Sequence, residues 1–172
     1  MLEEFPALEA HRRLLEKWNR VLNLTRITEI ERNYGESLFL GRHLPAGALS
    51  VCDIGSGAGF PGIPVAVLRP DCEVTLIESH QRKAVFLKEA SRGLPNVRVL
   101  ACRAEEVRGR FDFAISRAVS LADLAGYLGR LAPNAALLTG AEEPVIANFV
   151  WEAPLPLPDS RNRFLRIGHC FT

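Results

Sequence analysis

A glycine-rich segment in the first half of the chain carries the residue types and spacing that best indicate chemistry. It reads Asp-Ile-Gly-Ser-Gly-Ala-Gly-Phe-Pro-Gly from Asp53 to Gly62 and separates an apolar run from a helical stretch. Glycines at alternate positions, such as Gly55 and Gly57, let the backbone turn sharply and approach a ligand closely, because no Cβ intervenes. We therefore expect a ligand-binding turn between a strand and a helix, and a plain connecting turn is the less favoured interpretation.

Two classes of cofactor are compatible with this loop. The stretch from Gly57 to Gly62 fits the dinucleotide pattern G-x-G-x-x-G, with Glu78 about twenty residues further on. However, the strand ends at Asp53 to Gly55, ahead of the register that a dinucleotide site requires. Asp53 at that strand end can orient a water molecule or the amino group of a methionine moiety. S-adenosylmethionine is therefore the favoured cofactor, and NAD, with an oxidoreductase activity, is the alternative.

Glu78 is a second acidic candidate, at the end of the next predicted strand. A carboxylate in that place can accept both hydrogen bonds of a ribose diol. The alternative is a solvated glutamate in a loop. We expect Glu78 to bind the cofactor ribose.

Short apolar runs that alternate with helical stretches must position these residues. They predict a doubly wound α/β fold, in which a mixed, mostly parallel sheet carries helices on both faces. The expected strands are residues 49–54, 73–77, 97–101, 111–115 and 135–139, and the expected helices are residues 63–68, 81–94 and 121–131. Residues 145–151 and 164–171 flank a proline-rich turn and predict a closing antiparallel hairpin.

Residues 1–48 are expected to form an N-terminal helical cap on a core of residues 49–172, the two together making one compact domain. Apolar residues such as Leu8, Leu15 and Trp18 recur at helical spacing and predict a first helix that ends near Asn23. A second helix is expected over residues 27–40.

Composition narrows the possible classes of protein. With 172 residues, of which 48% are hydrophobic, the chain can bury one core. A net charge of +1 argues against binding nucleic acid by bulk electrostatics alone, so any RNA contact needs local patches. Charged residues near the start and the lack of a long apolar run predict a cytoplasmic protein without a membrane segment. Four widely spaced cysteines predict reduced thiols and no metal site. We also expect the protein to be a monomer.

The motifs taken together resemble the bacterial glucose-inhibited division protein B family, the small-subunit ribosomal RNA guanine-N7 methyltransferases. The matching segments are, in chain order, residues 23–25 (Asn-Leu-Thr), 42–43 (Arg-His), 53–64, 78–79 (Glu-Ser), 82–87, 103–106 (Arg-Ala-Glu-Glu) and 115–118 (Ile-Ser-Arg-Ala). The resemblance implies a Rossmann-like, class I S-adenosylmethionine-dependent methyltransferase that methylates N7 of a guanine in 16S ribosomal RNA. Its partner would be 16S ribosomal RNA or the small ribosomal subunit.

The resemblance also implies which residues contact the cofactor. They are Gly55, Phe60, Ala104, Glu105 and Arg117.

Arg117 is expected after the fourth strand, where a guanidinium can hold a phosphate or a guanine edge bidentately. We therefore expect it to position the substrate, and its alternative is a surface ion pair with an acid such as Asp123. The basic tail residues Arg161, Arg163 and Arg166 are candidates for RNA contact.

The chain departs from the family pattern at two places. Leu44-Pro45 follows Arg42-His43 where the family continues with Leu-Asp-Ser, and Thr139 stands where a lysine is usual. These departures leave open a non-catalytic, S-adenosylmethionine-binding protein associated with the ribosome.

Overall fold

The computed structural model describes residues 1–171, so the last residue of the expected 49–172 core lies outside the described residues. The helices are α1 Pro6–Asn19, α2 Ile30–His43, α3 Gly62–Leu68, α4 Gln81–Ala90, α5 Leu121–Ala125 and α6 Leu128–Leu131. The strands are β1 Ser50–Ile54, β2 Glu73–Ile77, β3 Val97–Leu100, β4 Phe113–Arg117, β5 Asn134–Thr139, β6 Phe149–Trp151, β7 Leu155–Pro156 and β8 Phe164–Cys170. Short 3₁₀ turns occupy Leu2–Glu4, Ile27–Glu29 and Ala104–Glu106.

The strands form a single mixed sheet with the order β3-β2-β1-β4-β5-β8-β6, and β7 pairs with β8. Strands β1 to β5 are parallel, whereas β8 runs antiparallel to β5, β6 and β7. At the centre, Ile54 of β1 lies opposite Ile77 of β2 and Ser116 of β4. The strand order reverses beside β1, which is where open α/β sheets bind ligands, at the carboxyl ends of the strands. The predicted α/β fold is confirmed.

Successive residues of β1 point to opposite faces of the sheet, and each face has its own apolar core. Val51 packs with helices α1 to α4, including Leu8 and Leu38 from the N-terminal segment. Cys52 packs on the other face with Leu124 and Leu131 of α5 and α6. Residues 1–48 therefore share one core with the sheet rather than packing among themselves.

Helix α1 ends earlier than expected, at Asn19 instead of Asn23. The Asn19 side-chain oxygen accepts the backbone N–H groups of Leu24 and Thr25 at 2.8 and 3.2 Å, and its amide donates to the Thr25 carbonyl at 2.7 Å. These local hydrogen bonds stabilise a turn where the helix was expected to continue. The second helix is shifted correspondingly, since residues 27–29 form the 3₁₀ turn and α2 continues to His43.

Three other expected elements differ in extent. The expected helix over residues 81–94 ends at Ala90, and the one over residues 121–131 is divided at Gly126 into α5 and α6. The fourth strand spans Phe113–Arg117 rather than residues 111–115, because Asp112 turns its side chain to the Ser50 N–H at 2.8 Å. The expected antiparallel hairpin is formed by β6 and β8, and β8 lies between β5 and β6.

No helix among residues 1–171 is long and apolar enough to cross a membrane.

Candidate functional site

The glycine loop leaves β1 in a conformation that only glycine adopts easily. Gly55 has φ +69°, and its N–H donates to the Ile77 carbonyl at 2.9 Å, which fixes the turn to the end of β2. A Cβ on Gly55 would lie 2.8 Å from Cγ2 of Val119, closer than real contacts allow. The missing side chain therefore leaves open space between the ends of β1 and β4.

Asp53 lies beneath the loop and is fully buried. Its Oδ2 accepts the Gly62 N–H at 2.9 Å, while Oδ1 has no hydrogen-bond partner among residues 1–171. Burial raises the pKa of this carboxyl to about 7, although the Gly62 hydrogen bond lowers it in part. The expected direct contact of Asp53 with a cofactor does not fit this burial. Asp53 instead links the end of β1 to the start of α3 through its hydrogen bond with Gly62.

The side chain of Glu78 also supports the glycine loop, by accepting backbone N–H groups. Its Oε1 accepts the Gly57 N–H at 2.8 Å and its Oε2 accepts the His80 N–H at 2.9 Å. Each carboxylate oxygen retains a second lone pair, so both can still accept a hydroxyl group. The buried position of Glu78 excludes the solvated-loop interpretation.

Two pockets meet at Gly55. Pocket A, of about 300 Å³, lies on one side, and pocket B, of about 240 Å³, lies on the other. Pocket A is lined by, among others, Gly55, Ser79, Ala104, Glu105, Asp123 and Tyr127. Pocket B is lined by, among others, Asn33, Gly55, Gly57, Phe60, Glu78 and Arg117. Except for Asp53, every residue expected to bind the cofactor lines one of the two pockets.

The turn that closes pocket A is held by a cation from helix α6. The guanidinium of Arg130 donates to the carbonyls of Ala104 and Glu105 at 3.1 Å each, and to that of Val107. Because three carbonyl oxygens converge on one side chain, the turn is held at a fixed place beside the pocket. No local sequence pattern indicated this role for Arg130.

Arg117 is the last residue of β4 rather than a residue after it, and it lines pocket B. Its Nε donates to Oε2 of Glu36 at 3.4 Å, so the expected alternative partner, Asp123, is not the one found. Burial lowers the pKa of Arg117. The negative charge of Glu36 favours the charged guanidinium and opposes this lowering. Asp123 instead lines pocket A.

The N-terminal segment contacts the glycine loop directly. His11 is buried, and its Nε2 donates to the Ala58 carbonyl at 2.8 Å, while its Nδ1 accepts the Tyr34 hydroxyl at 2.6 Å. The ring of Phe60 packs edge-on against Tyr34 at 4.8 Å between centroids. Helices α1 and α2 therefore fix the outer side of the loop.

Helix α2 supplies two polar residues that the motifs did not indicate, Asn33 and Glu36. Both are buried, and they lie one turn apart among apolar residues such as Tyr34 and Leu38. Polar residues on the buried face of an amphipathic helix are the signal that could have identified them. By contrast, Arg42 and His43, which the motif comparison included, are exposed at the end of α2 and line neither pocket.

A cation lies beside Thr139, the position where the family usually has lysine. Arg166 of β8 donates from Nε to Thr139 Oγ1 at 3.1 Å and from Nη2 to the Ala141 carbonyl at 3.3 Å. Arg166 is buried, so it is a structural residue of the sheet rather than the exposed RNA contact expected from the basic tail. Arg163, by contrast, donates hydrogen bonds to the carboxylate of Glu36.

Among residues 1–171, no three His, Cys, Asp or Glu side chains are grouped closely enough to hold a metal ion.

Comparison of the sequence with known families gives a match over most of the chain. Residues 4–138 match the model of the GidB family, described as rRNA small subunit methyltransferase G. A protein of Halorhodospira halophila named Ribosomal RNA small subunit methyltransferase G is 44% identical over 141 residues, which cover 76% of this chain and 66% of that protein. A protein of the same name from Nitrosospira multiformis is 46% identical over 127 residues, covering 69% of this chain and 58% of that one. The chain thus spans less than two thirds of the length of these relatives.

Solved structures share the fold at low identity. Magnesium protoporphyrin IX methyltransferase from Synechocystis, solved with bound S-adenosylmethionine, superposes with a TM-score of 0.66 at 14% identity, covering 91% of this chain and 90% of that one. An S-adenosylmethionine-dependent methyltransferase from Aquifex aeolicus gives a TM-score of 0.59 at 16% identity, covering 97% of this chain and 100% of that one. At such identities the comparison shows the fold alone.

Proposed function

Since the chain belongs to the GidB family, the rRNA small subunit methyltransferase G family, we propose that it transfers a methyl group from S-adenosylmethionine to N7 of a guanine in 16S ribosomal RNA. The observation that carries the proposal is the meeting of pockets A and B at Gly55, at the carboxyl ends of β1 and β4. Pocket A can hold the adenine of the cofactor, and pocket B can hold its ribose and methionine parts beside the base that is methylated.

The residues around pocket A suit the adenine part of the cofactor. Ala104 and Glu105 line the pocket beside Ser79. The Glu105 carboxylate can accept a hydrogen of the adenine amine. The open space at Gly55, which a Cβ would close against Val119, leads from this pocket towards pocket B. The bound cofactor supplies an electrophilic methyl group on a sulfonium.

The acidic residues complement the positive charge of such a cofactor. Glu78 lines pocket B, and its two oxygens each retain an acceptor position, so we propose that it binds the ribose diol. Gly57 and Phe60 line the same pocket and enclose the methionine part. Asp53 contributes indirectly, by holding the loop through Gly62.

Arg117 is the residue that we propose to position the substrate. N7 of guanine has an in-plane lone pair, so methylation needs no base to remove a proton. Catalysis then depends on placing N7 in line with the methyl group and on excluding water. The Arg117 guanidinium lines pocket B next to Gly55, where it can also contact the cofactor.

The RNA that fits this site is single-stranded or looped at the target base. An A-form duplex buries the N7 edge in its narrow major groove, where side chains cannot read it. We further propose that the chain acts in the cytoplasm, as a monomer and without a metal ion.

Methyl transfer tests the proposal. The protein is incubated with radiolabelled S-adenosylmethionine and bacterial small subunits, or naked 16S RNA, and label in the RNA is counted. We expect label with the wild type, a large loss with Arg117→Ala or Gly55→Asp, and wild-type transfer with the control Arg42→Ala at the exposed end of α2. Absence of transfer together with cofactor binding would support the non-catalytic alternative, and binding of NAD alone would support the oxidoreductase alternative.

A further inference from the structure

Glu36 is a buried acidic side chain beside the proposed site, and arginines from three parts of the chain converge on it. Its side chain is 1% exposed. Arg163 donates to it through two nitrogens, from Nε to Oε1 at 2.7 Å and from Nη2 to Oε2 at 2.9 Å. Arg117 donates from Nε to Oε2 at 3.4 Å, and Arg32 approaches Oε1 at 3.9 Å. Glu36 thus joins α2, the end of β4 and the residue that precedes β8.

The charges around Glu36 do not balance. Arg32 is shared with Glu29 of the preceding 3₁₀ turn, which lies 3.1 Å from it, so its charge is compensated there. Arg117 and Arg163 then face the single carboxylate of Glu36, which leaves one positive charge in excess. A partly buried guanidinium without a full counter-ion favours an anion that arrives from solvent.

The same two arginines retain free donors. Within residues 1–171, neither terminal nitrogen of Arg117 has a hydrogen-bond partner, and Nη1 of Arg163 has none. Arg117 lines pocket B, whereas Arg163 lines a neighbouring pocket that also includes Ala118 and Gly140. The two arginines therefore line neighbouring pockets that share Ala118.

We infer that Glu36 is a positioning residue that holds Arg117 and Arg163 as a pair, and that this pair binds one phosphodiester of the RNA strand next to the target base. Guanidinium groups are suited to this ligand because their forked donors match two phosphate oxygens. The inference rests on the proposed function, since it names the group of the substrate that the site binds.

Removal of the Glu36 charge should misorient the pair without removing it. In Glu36→Gln the attraction of two arginines for RNA remains, so we expect KM for RNA and Kd for S-adenosylmethionine to change by no more than about twofold. The reaction rate depends on orientation, so kcat should fall by about tenfold to hundredfold. Glu36→Asp keeps the charge and should recover part of the lost kcat. Glu31→Gln, on the exposed side of the same helix, is the matched control and should match the wild type.

Removal of one arginine should instead affect KM for RNA more than kcat. In Arg163→Ala a phosphate contact is lost, so KM for RNA should rise, and the slope of log affinity against log salt concentration should decrease by about 0.7. This variant also keeps the inference testable if Glu36→Gln fails to fold, because Glu36 retains Arg117 as a partner.

The outcomes separate this inference from the proposed function. Wild-type methyl transfer with unchanged kcat in Glu36→Gln, or an unchanged salt slope in Arg163→Ala, would overturn the inference alone. An equal loss of cofactor binding in Glu36→Gln would also overturn it, because Glu36 would then support pocket B as a whole. A wild-type protein that transfers no methyl group to RNA would remove the proposed function and this inference with it.

Discussion

Nε2 of His11, in the first helix, lies 2.8 Å from the carbonyl oxygen of Ala58, in the glycine loop. The two residues are 47 positions apart in the sequence, and the bond is buried. Because the carbonyl can only accept, Nε2 carries the proton, and Nδ1 is left to accept the Tyr34 hydroxyl. The loop geometry therefore depends on a neutral histidine in the N-terminal segment.

Stability should depend on this histidine at acidic pH. Burial lowers the pKa of His11 from 6.5 to about 4, so between these values the unfolded chain binds a proton that the folded chain does not. The contribution of His11 is complete above pH 6.5 and is lost as the pH falls to about 4, in total by about 3 kcal/mol. Urea unfolding of the wild type and His11→Gln across this range measures it. The exposed His43→Gln serves as control, and equal pH slopes in all three proteins would contradict the account.

Asp53 should have the opposite effect on stability. Its folded pKa is raised from 3.8 to about 7, so its contribution is complete below pH 3.8 and is lost as the pH rises through 7, by roughly 4 kcal/mol. Asp53→Asn keeps an acceptor for the Gly62 N–H and removes the titration. The Asn variant should therefore gain stability relative to the wild type as the pH rises. Asp159→Asn, at an exposed turn, should show no such trend.

Loss of the Arg130 guanidinium should weaken cofactor binding. Without its bonds to Ala104 and Glu105, the turn beside pocket A becomes mobile, and we expect Kd for S-adenosylmethionine to rise about tenfold in Arg130→Ala, or about 1.4 kcal/mol. Titration calorimetry gives this constant directly. The exposed Arg108→Ala provides the comparison, and an unchanged Kd in Arg130→Ala would show that the turn needs no support.

A side chain at Gly62 should destabilise the fold. Its Cβ would lie 2.5 Å from Asp53 Oδ2 and would contact Leu76 as well. Overpacking of this kind costs about 1–3 kcal/mol of unfolding free energy. Gly62→Ala should lose this amount in urea unfolding, whereas Gly93→Ala, with no atom within 4 Å of its added Cβ, should not. A Gly62→Ala protein as stable as the wild type would contradict this packing.

The fold could be predicted from the sequence because buried parallel strands are continuous apolar runs and need no distant information. Strand β1 and the loop after it were located by this pattern. Element ends were less predictable, since they depend on individual side-chain bonds such as those of Asn19. The division of the chain at residue 48 and the monomeric state stay predictions.

The site was predictable only in part. Gly55, Phe60 and Arg117 were identified through motifs, and they line the pockets. The role of Glu36 could not be read from the sequence, because its partners, Arg117 and Arg163, are 81 and 127 positions away. Likewise, the burial of Asp53 arises from packing on three strands and not from its place in the motif.

The most direct test of the central claim is the identity of the methylated nucleoside. Small-subunit RNA treated with the wild-type protein and S-adenosylmethionine is digested to nucleosides and analysed by mass spectrometry beside authentic standards. We expect a rise in 7-methylguanosine that is lost with Arg117→Ala. A methyl group on any other atom or base, or no methylated product in the presence of bound cofactor, would contradict it.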